Sequence, residues 1–184
     1  MNQLNIRSYG SGEIKLVAIH GLGSASSAWD LVRPELAKHF EFITLDLPGH
    51  GEASMRADET MNPESTAKLV LEELKAIGIT KFHLIGNSLG GWIALEMAAA
   101  FPGNVLSVTG VAPAGLWLKP KTHRNGELAV SRYLAKLTYR FATPISKFKF
   151  LRSIGFRFVS PQWEKFSPET CAKAAIAMGG ASGY

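Results

Sequence analysis

Short apolar runs, each stopped by glycine or proline and separated by stretches of helical periodicity, constrain this chain more than any other feature. Leu16-Val17-Ala18-Ile19 is followed by Gly21 and Gly23, and Phe42-Ile43-Thr44-Leu45 by Pro48, Gly49 and Gly51. Phe82-His83-Leu84-Ile85 is followed by Gly86, and the run from Val105 to Val111 by Pro113. Short apolar runs with β-branched residues suit strands buried on both faces, as in a parallel sheet. Between them, Ala28 to His39, Pro63 to Ile77 and Leu89 to Phe101 carry helical patterns. The second of these puts Ala67, Val70, Leu71, Leu74 and Ile77 on one face, with Gly78 just past its end. Strands alternating with helices predict βαβ units in a mostly parallel, doubly wound α/β sheet. An earlier strand, Leu4 to Tyr9, is expected to pair with Leu16–Ile19 through the turn Gly10-Ser11-Gly12.

After Pro113 the strand rhythm ends. Ala129 to Phe141, Pro144 to Ile154 and Pro168 to Met178 read as helices, and the tail Gly179-Gly180-Ala181-Ser182-Gly183 as too rich in glycine to be helical. Charge changes at the same place. Residues 1–116 hold eight Lys/Arg against twelve Asp/Glu, and residues 117–184 twelve against three. So sharp a break marks a module boundary near Trp117, giving an α/β core over 1–116 and a helical region over 117–184. Nucleic acid or an anionic membrane would account for the basic half; so would a solvated helical surface, and no nucleic-acid partner is expected.

Several classes of protein are disfavoured. The first fifteen residues mix Asn2, Arg7 and Glu13 with single apolar residues, unlike a secretory leader. No apolar run approaches the roughly 20 residues that span a bilayer. The single cysteine, Cys171, cannot form an internal disulfide, so a reducing, cytoplasmic location is expected. No His/Cys/Asp cluster has metal-ligand spacing, and neither a metal nor an organic cofactor is expected.

The chemistry concentrates at three strand ends. Gly86-Asn87-Ser88-Leu89-Gly90 follows one strand and opens a helix, the setting in which G-x-S-x-G becomes a nucleophile elbow. Small residues are needed where strand and helix meet, and Gly86, Gly90 and Gly91 supply them. Ser88 then projects its hydroxyl at the positive end of the following helix. A serine in a structural turn is the alternative. His20-Gly21-Leu22-Gly23 ends the first apolar run, and its glycines allow the backbone to turn and present N–H groups to an oxyanion. His20 itself reads as a satisfied core histidine. Asp46-Leu47-Pro48-Gly49-His50-Gly51 ends the second run. Asp46, His50 and Ser88 would count as a triad by residue type alone, but the Pro and Gly residues describe a sharp turn that Asp46 ties down by hydrogen bonds.

With Trp29 added, these three motifs in this order resemble the α/β-hydrolase superfamily. More narrowly, the chain resembles the esterase, C–C hydrolase and peroxidase-like branch with a helical lid. The likeness covers residues 4 to 116 motif by motif, and the rest only in general character. It implies that Ser88 is the catalytic nucleophile and forms an acyl-enzyme with a small ester or acyl substrate. It implies that the backbone N–H groups of Leu22 and Leu89 form the oxyanion hole. His20, Gly21, Gly23, Gly86, Asn87 and Gly90 would shape the site. A serine at position 88 argues against the dehalogenase and epoxide hydrolase branches, which use a carboxylate. Residues 117–184 would be the lid, with Phe141, Phe148, Phe150, Phe156, Phe158, Trp163 and Phe166 mostly in its core.

The family order is Ser, then Asp or Glu, then His. No aspartate follows Asp58, and the only histidine after Ser88 is His123, in a basic stretch at the start of the helical region. A variant acid position just after Val105–Val111 holds Ala112, Pro113, Ala114 and Gly115. The acid, the base and the final strands are therefore expected beyond Tyr184, leaving a partial chain, inactive alone, with Val105–Val111 as an aggregation-prone sheet edge. A non-catalytic ligand-binding protein of the same fold, and a thioesterase or acyltransferase using Ser88, are the competing readings. No protein partner is legible.

Overall fold

The computed structural model describes residues 4–55, 62–116, 126–157 and 159–182. The boundary expected near Trp117, together with His123 and Phe158, lies outside them. The chain forms two compact units, Met1–Leu118 with Ser182–Tyr184, and Lys119–Ala181.

The first unit is built on five strands, β1 (Asn5–Tyr9), β2 (Lys15–Ile19), β3 (Glu41–Asp46), β4 (Phe82–Asn87) and β5 (Val105–Val111), in the order β1-β3-β2-β4-β5. The pairs β2–β3, β2–β4 and β4–β5 are parallel, and β1 is antiparallel. Strand β1 does not pair with β2 as expected from sequence; it pairs with β3, setting Asn5 opposite Asp46. Both edges of β2 are already taken, by β3 and β4, so the outer edge of β3 accepts the fifth strand. The glycine turn does not close a hairpin either. Gly10, at φ 77°, and Gly12 lie so close to the backbone of residues 37–40 that a side chain at either would collide with it.

Alternate residues of the central strands feed two cores, as the period of two requires. Val17, Ile19, Ile43, Leu45, Phe82 and Leu84 pack with α2 (Pro63–Ala76) and α3 (Leu89–Ala100) on one face. Leu16, Ala18 and Phe42 pack with Trp29, Leu36 and Phe40 on the other. Helices therefore cover both faces of a mostly parallel sheet. The pattern expected as one helix over 28–39 is two short pieces, a 3₁₀ turn at Ser26–Trp29 and α1 at Arg33–Leu36. Pro34 lies in the first turn of the second piece, where its missing N–H costs no intrahelical bond but cannot continue an earlier turn. Helix α2 follows its sequence signals. The Asn62 side chain accepts from the Glu64 N–H at 2.9 Å, Pro63 opens the helix, and Gly78 turns away beyond it at φ 81°.

In the second unit, α4 (Gly126–Thr138) is followed by α5 (Ala142–Ile145), α6 (Lys149–Phe156) and α7 (Pro168–Gly180). The helix expected over 144–154 is divided into α5 and α6. Helix α7 runs through Gly179 and Gly180, against the expectation for the tail. Gly179 is there for want of a side chain, since a Cβ on it would lie 2.5 Å from the Ala135 carbonyl oxygen and from Tyr139 Cβ, whereas one on Gly180 would meet open space. The interior of this unit is made of small residues, Ala142, Cys171, Ala172 and Ala177. Of the aromatic residues expected in its core, Phe141, Phe148 and Phe150 are more than 60% exposed, while Phe156, Trp163 and Phe166 are half-buried. No helix among the described residues is long and apolar enough to cross a membrane.

Strand β5 has a single sheet neighbour among the described residues, and Leu106 and Val111 on it are exposed. A seven-residue apolar edge is a template for intermolecular pairing. Leu106→Lys is expected to raise the monomeric fraction at equal concentration, as measured by size-exclusion chromatography with light scattering; an unchanged distribution would mean that this edge does not drive association.

Candidate active site

Ser88 joins β4 to α3 with φ 50° and ψ −113°. A non-glycine residue on this side of the Ramachandran map costs about 1–3 kcal/mol and persists only where its surroundings impose it. Here they do. The Ser88 N–H donates to the Val111 carbonyl at 3.0 Å, and the Ser88 carbonyl accepts from Ala114 N–H at 2.9 Å and Trp92 N–H at 3.1 Å. The Asn87 side-chain amide also donates to the Val111 carbonyl, at 3.2 Å. Strand β5 and the loop after it thus hold the elbow from one side.

Glycine makes the elbow sterically feasible. A Cβ on Gly86 would collide with the Gly90 carbonyl, and one on Gly90 with the carbonyls of Ile19 and His20. On Gly91 it would lie 2.8 Å from Pro113 Cβ. Gly21 brings the loop after β2 against the serine, since a Cβ there would be 3.3 Å from Ser88 Cβ and 3.0 Å from Asn87 Oδ1. Of the residues expected to shape the site, Gly21 thus lies against Ser88 and Asn87, Gly86 against the Gly90 carbonyl, and Gly90 against the end of β2. Ser88 is half-buried. Leu89 is the first residue of α3, so its N–H precedes the first intrahelical bond. Leu22 lies in the turn closed by the Ser24 N–H donating to the Gly21 carbonyl at 3.2 Å.

The loops after β2 and β3 are cross-linked by two buried histidines. Leu47 N–H donates to His20 Nε2 at 3.0 Å, and Gly23 N–H donates to His50 Nε2 at 3.1 Å. A ring nitrogen that accepts an N–H carries no proton, so in each neutral ring the proton resides on Nδ1. His20 Nδ1 then donates to the Gly21 carbonyl at 2.8 Å and His50 Nδ1 to the Pro48 carbonyl at 2.9 Å. Gly23, at φ 69°, adopts a backbone conformation that glycine alone enters at no cost. Asp46 ties down the neighbouring turns. Its carboxylate accepts from Ser26 N–H at 2.7 Å, Asn5 Nδ2 at 2.8 Å and Glu52 N–H at 3.1 Å. Asp46 and His50 therefore serve the loops and form no triad with Ser88.

Among the described residues every histidine is committed elsewhere. His83 Nδ1 is 2.8 Å from Ser107 Oγ, near the start of β4 and so a strand's length from Ser88. His39 is exposed, with Nε2 3.7 Å from Glu35 Oε1. No group of three His, Cys, Asp or Glu side chains among the described residues could hold a metal ion.

The electrostatics suit a rigid frame. Burial pushes His20 down to about 4; the field of His50 acts the same way, while the bond to Gly21 and the charge of Asp46 oppose it. Burial pushes the Asp46 carboxyl up, but the Ser26 amide, Asn5 and the Glu52 amide outweigh it and leave the group below its usual range.

The sequence motifs did not reveal the part played by the loop after β5. Ala112 is itself left-handed, at φ 45°, and Ala114 and Pro113 brace the elbow. Its signal was the pair Pro113 and Gly115, which read only as a vacant acid position. Gly115, at φ 84°, leaves room for the Trp92 indole, 2.5 Å from where a Cβ would sit.

Residues 15–161 match the family model described as the alpha/beta hydrolase fold. The chain is 39% identical over 107 residues to the dihydrolipoyllysine-residue acetyltransferase component of the acetoin cleaving system of Pseudomonas putida, covering 58% of this chain and 29% of that one. It is 34% identical over 112 residues to the pimeloyl-[acyl-carrier protein] methyl ester esterase of Klebsiella pneumoniae, covering 61% and 41%. A solved esterase from a marine microorganism superposes with a TM-score of 0.61 at 26% identity, over 75% of this chain and 51% of that one. The chain thus spans less than half the length of these curated relatives.

Two outcomes follow from this geometry. Above about pH 6.5 His20 is neutral whether folded or unfolded and contributes nothing to pH dependence. Between about 6.5 and about 4 the unfolded chain binds a proton that the folded one refuses, so stability falls as pH falls through that window and this contribution then levels off. Urea midpoints measured across pH 7.5 to 4 check this; a flat profile would show that His20 takes up its proton in the folded state. Separately, Gly90→Ala is expected to lower stability by about 1–3 kcal/mol in the same assay, because its methyl has no space beside Ile19.

Proposed function

The chain belongs to the α/β-hydrolase fold family, and from that premise we propose that it is a serine hydrolase of esters or related acyl bonds acting through an acyl-enzyme on Ser88. In this reading the Ser88 hydroxyl attacks the substrate carbonyl, and the N–H groups of Leu22 and Leu89 receive the negative charge on its oxygen. Gly21 gives the first donor loop its close approach to the serine, and α3 delivers the second donor from its N-terminus. The reading rests above all on the left-handed backbone of Ser88. A strain held by three backbone hydrogen bonds and four glycines is explained by a side chain that must be presented at a fixed point. Esterases among the proteins to which the chain is similar agree with the reaction class. Residues 117–184 would cover the site as a lid.

Proton transfer is the missing element in this scheme. With His20 and His50 engaged in the loops, no base among the described residues is placed to take the proton from Ser88. The chain by itself should hydrolyse esters poorly, retaining the roughly 10³–10⁴-fold over water that triad knockouts keep from the oxyanion hole and binding.

Chemical rescue tests this. A fluorophosphonate probe is expected to label the 184-residue chain slowly, with the adduct on Ser88 by peptide mass spectrometry. Added imidazole should accelerate labelling by about tenfold or more as a surrogate base, and Ser88→Ala should abolish it. A folded chain that forms no adduct with or without imidazole would instead be a ligand-binding member of the family.

A further inference from the structure

The two buried histidines stand in a specific relation to Leu22 that neither the fold nor the proposed reaction requires of them. A peptide unit is planar, so fixing its carbonyl oxygen also aims the N–H on its other side. The plane before Leu22 holds the Gly21 carbonyl and the Leu22 N–H. Its carbonyl accepts from His20 Nδ1 at 2.8 Å and from Ser24 N–H at 3.2 Å. The plane after Leu22 holds the Leu22 carbonyl and the Gly23 N–H, and that N–H donates to His50 Nε2 at 3.1 Å. One histidine thus grips each plane flanking Leu22, and together they fix both of its backbone angles.

We propose that His20 and His50 are paired positioning residues that set the direction of the Leu22 N–H, joining the loops after β2 and β3 into one frame for the oxyanion. The inference rests on the reading of Leu22 as an oxyanion donor. Each ring is oriented by the loop opposite the plane it controls, or by its own loop where the other supplies the bond. His20 sits in the loop after β2 and is oriented by Leu47 N–H at 3.0 Å; His50 sits in the loop after β3 and is oriented by the Pro48 carbonyl at 2.9 Å. The rings lie 5.3 Å apart at 50° and both are buried. The frame works only in the neutral Nδ1–H form of both rings, because a proton on Nε2 turns an acceptor into a donor facing another donor. The reciprocity matters as well. Displacing either loop breaks a bond in both, so Leu22 cannot turn without moving the chain around Leu47.

The test uses the 184-residue chain and two variants of His50. His50→Gln keeps an acceptor near the place of Nε2 and does not titrate, whereas His50→Leu keeps bulk and removes the acceptor. In the unmodified chain, nitrogen-15 spectra of the imidazole rings are expected to show neutral Nδ1–H tautomers for His20 and His50; a different tautomer at either position overturns the proposal without any variant. His50→Leu is expected to speed hydrogen exchange of the Gly23 amide by about tenfold or more, with Val17 and Ile43 unchanged. It should also slow imidazole-assisted fluorophosphonate labelling of Ser88 by about tenfold, part of the effect of losing one oxyanion donor. His50→Gln should restore both to within about threefold of the unmodified chain, a rescue that a merely space-filling role does not give. Unchanged Gly23 exchange in a folded His50→Leu protein overturns the clasp. Faster exchange with unchanged labelling overturns the reading of Leu22 instead and leaves the clasp standing.

Discussion

Ser88 is held at φ 50°, and most of the first unit can be understood as the means of keeping it there. A conformation that costs about 1–3 kcal/mol relaxes unless other interactions oppose it. The opposition comes from three directions. Strand β5 accepts the Ser88 amide through Val111, the loop after β5 donates to its carbonyl through Ala114, and α3 begins its own bonding at the same carbonyl through Trp92. None of these works without clearance. Gly86, Gly90 and Gly91 let strand, helix and the Pro113 loop approach within distances that any side chain would prevent. The parallel order β3-β2-β4-β5 in turn brings the ends of four strands to one side of the sheet, which is where loops from separate parts of the chain can meet.

Around that point the polar groups do structural work before they can do chemistry. Asp46 sits under three donors from the loop after β2, the loop after β3 and strand β1. Those bonds hold its charge against the cost of burial and remove it from any role as a relay to a base. His20 and His50 are saturated by backbone partners on both ring nitrogens. A general base needs a free lone pair aimed at the serine and a proton affinity near that of the medium. His20, buried and pushed down to about 4, has neither. Charge and hydrogen bonding thus rigidify the two loops, and the rigid loops present amides.

Much of this was legible in the sequence, because local rules and the global fold agree in the first unit. Apolar runs ended by glycine or proline gave the four parallel strands, the Asn62-Pro63 start and Gly78 stop bounded α2, and Gly86 to Gly91 marked the elbow. Pairing of β1 was not legible: which edge remains open depends on the order of strands that follow it in the chain. The reading of 28–39 as one helix failed where Pro34 intervenes, a local signal overlooked. In the second unit, composition misled. Its aromatic residues read as core material and its glycines as breakers, whereas Gly179 is the contact through which α7 approaches Ala135 and Tyr139 and small residues fill the interior. Close helix packing by small residues leaves large ones outside, and no periodicity in a single helix reports how near its neighbour will come. The bonds by which His20 and His50 cross-link the two loops were equally invisible, since each of these two joins residues 27 apart along the chain.

In the proposed reaction, positioning and proton transfer are separable, and the contacts around Ser88 bear on the first. The strain at Ser88 does not by itself make a stronger nucleophile; it places an oxygen. What lowers the barrier in such an arrangement is a set of dipoles already oriented before charge appears, because no reorganisation is then needed as the carbonyl oxygen becomes negative. Under the proposed reading, that demand would be met by a frame of backbone planes locked at both ends instead of by mobile side chains. It would also explain why a histidine serves better here than a charged residue. A neutral ring with one donor and one acceptor can join two backbone groups of opposite polarity while adding no net charge next to the place where an oxyanion would form. A lysine or an aspartate there would bias the field permanently in one direction, whereas the buried imidazoles leave the field near Leu22 to the amides themselves.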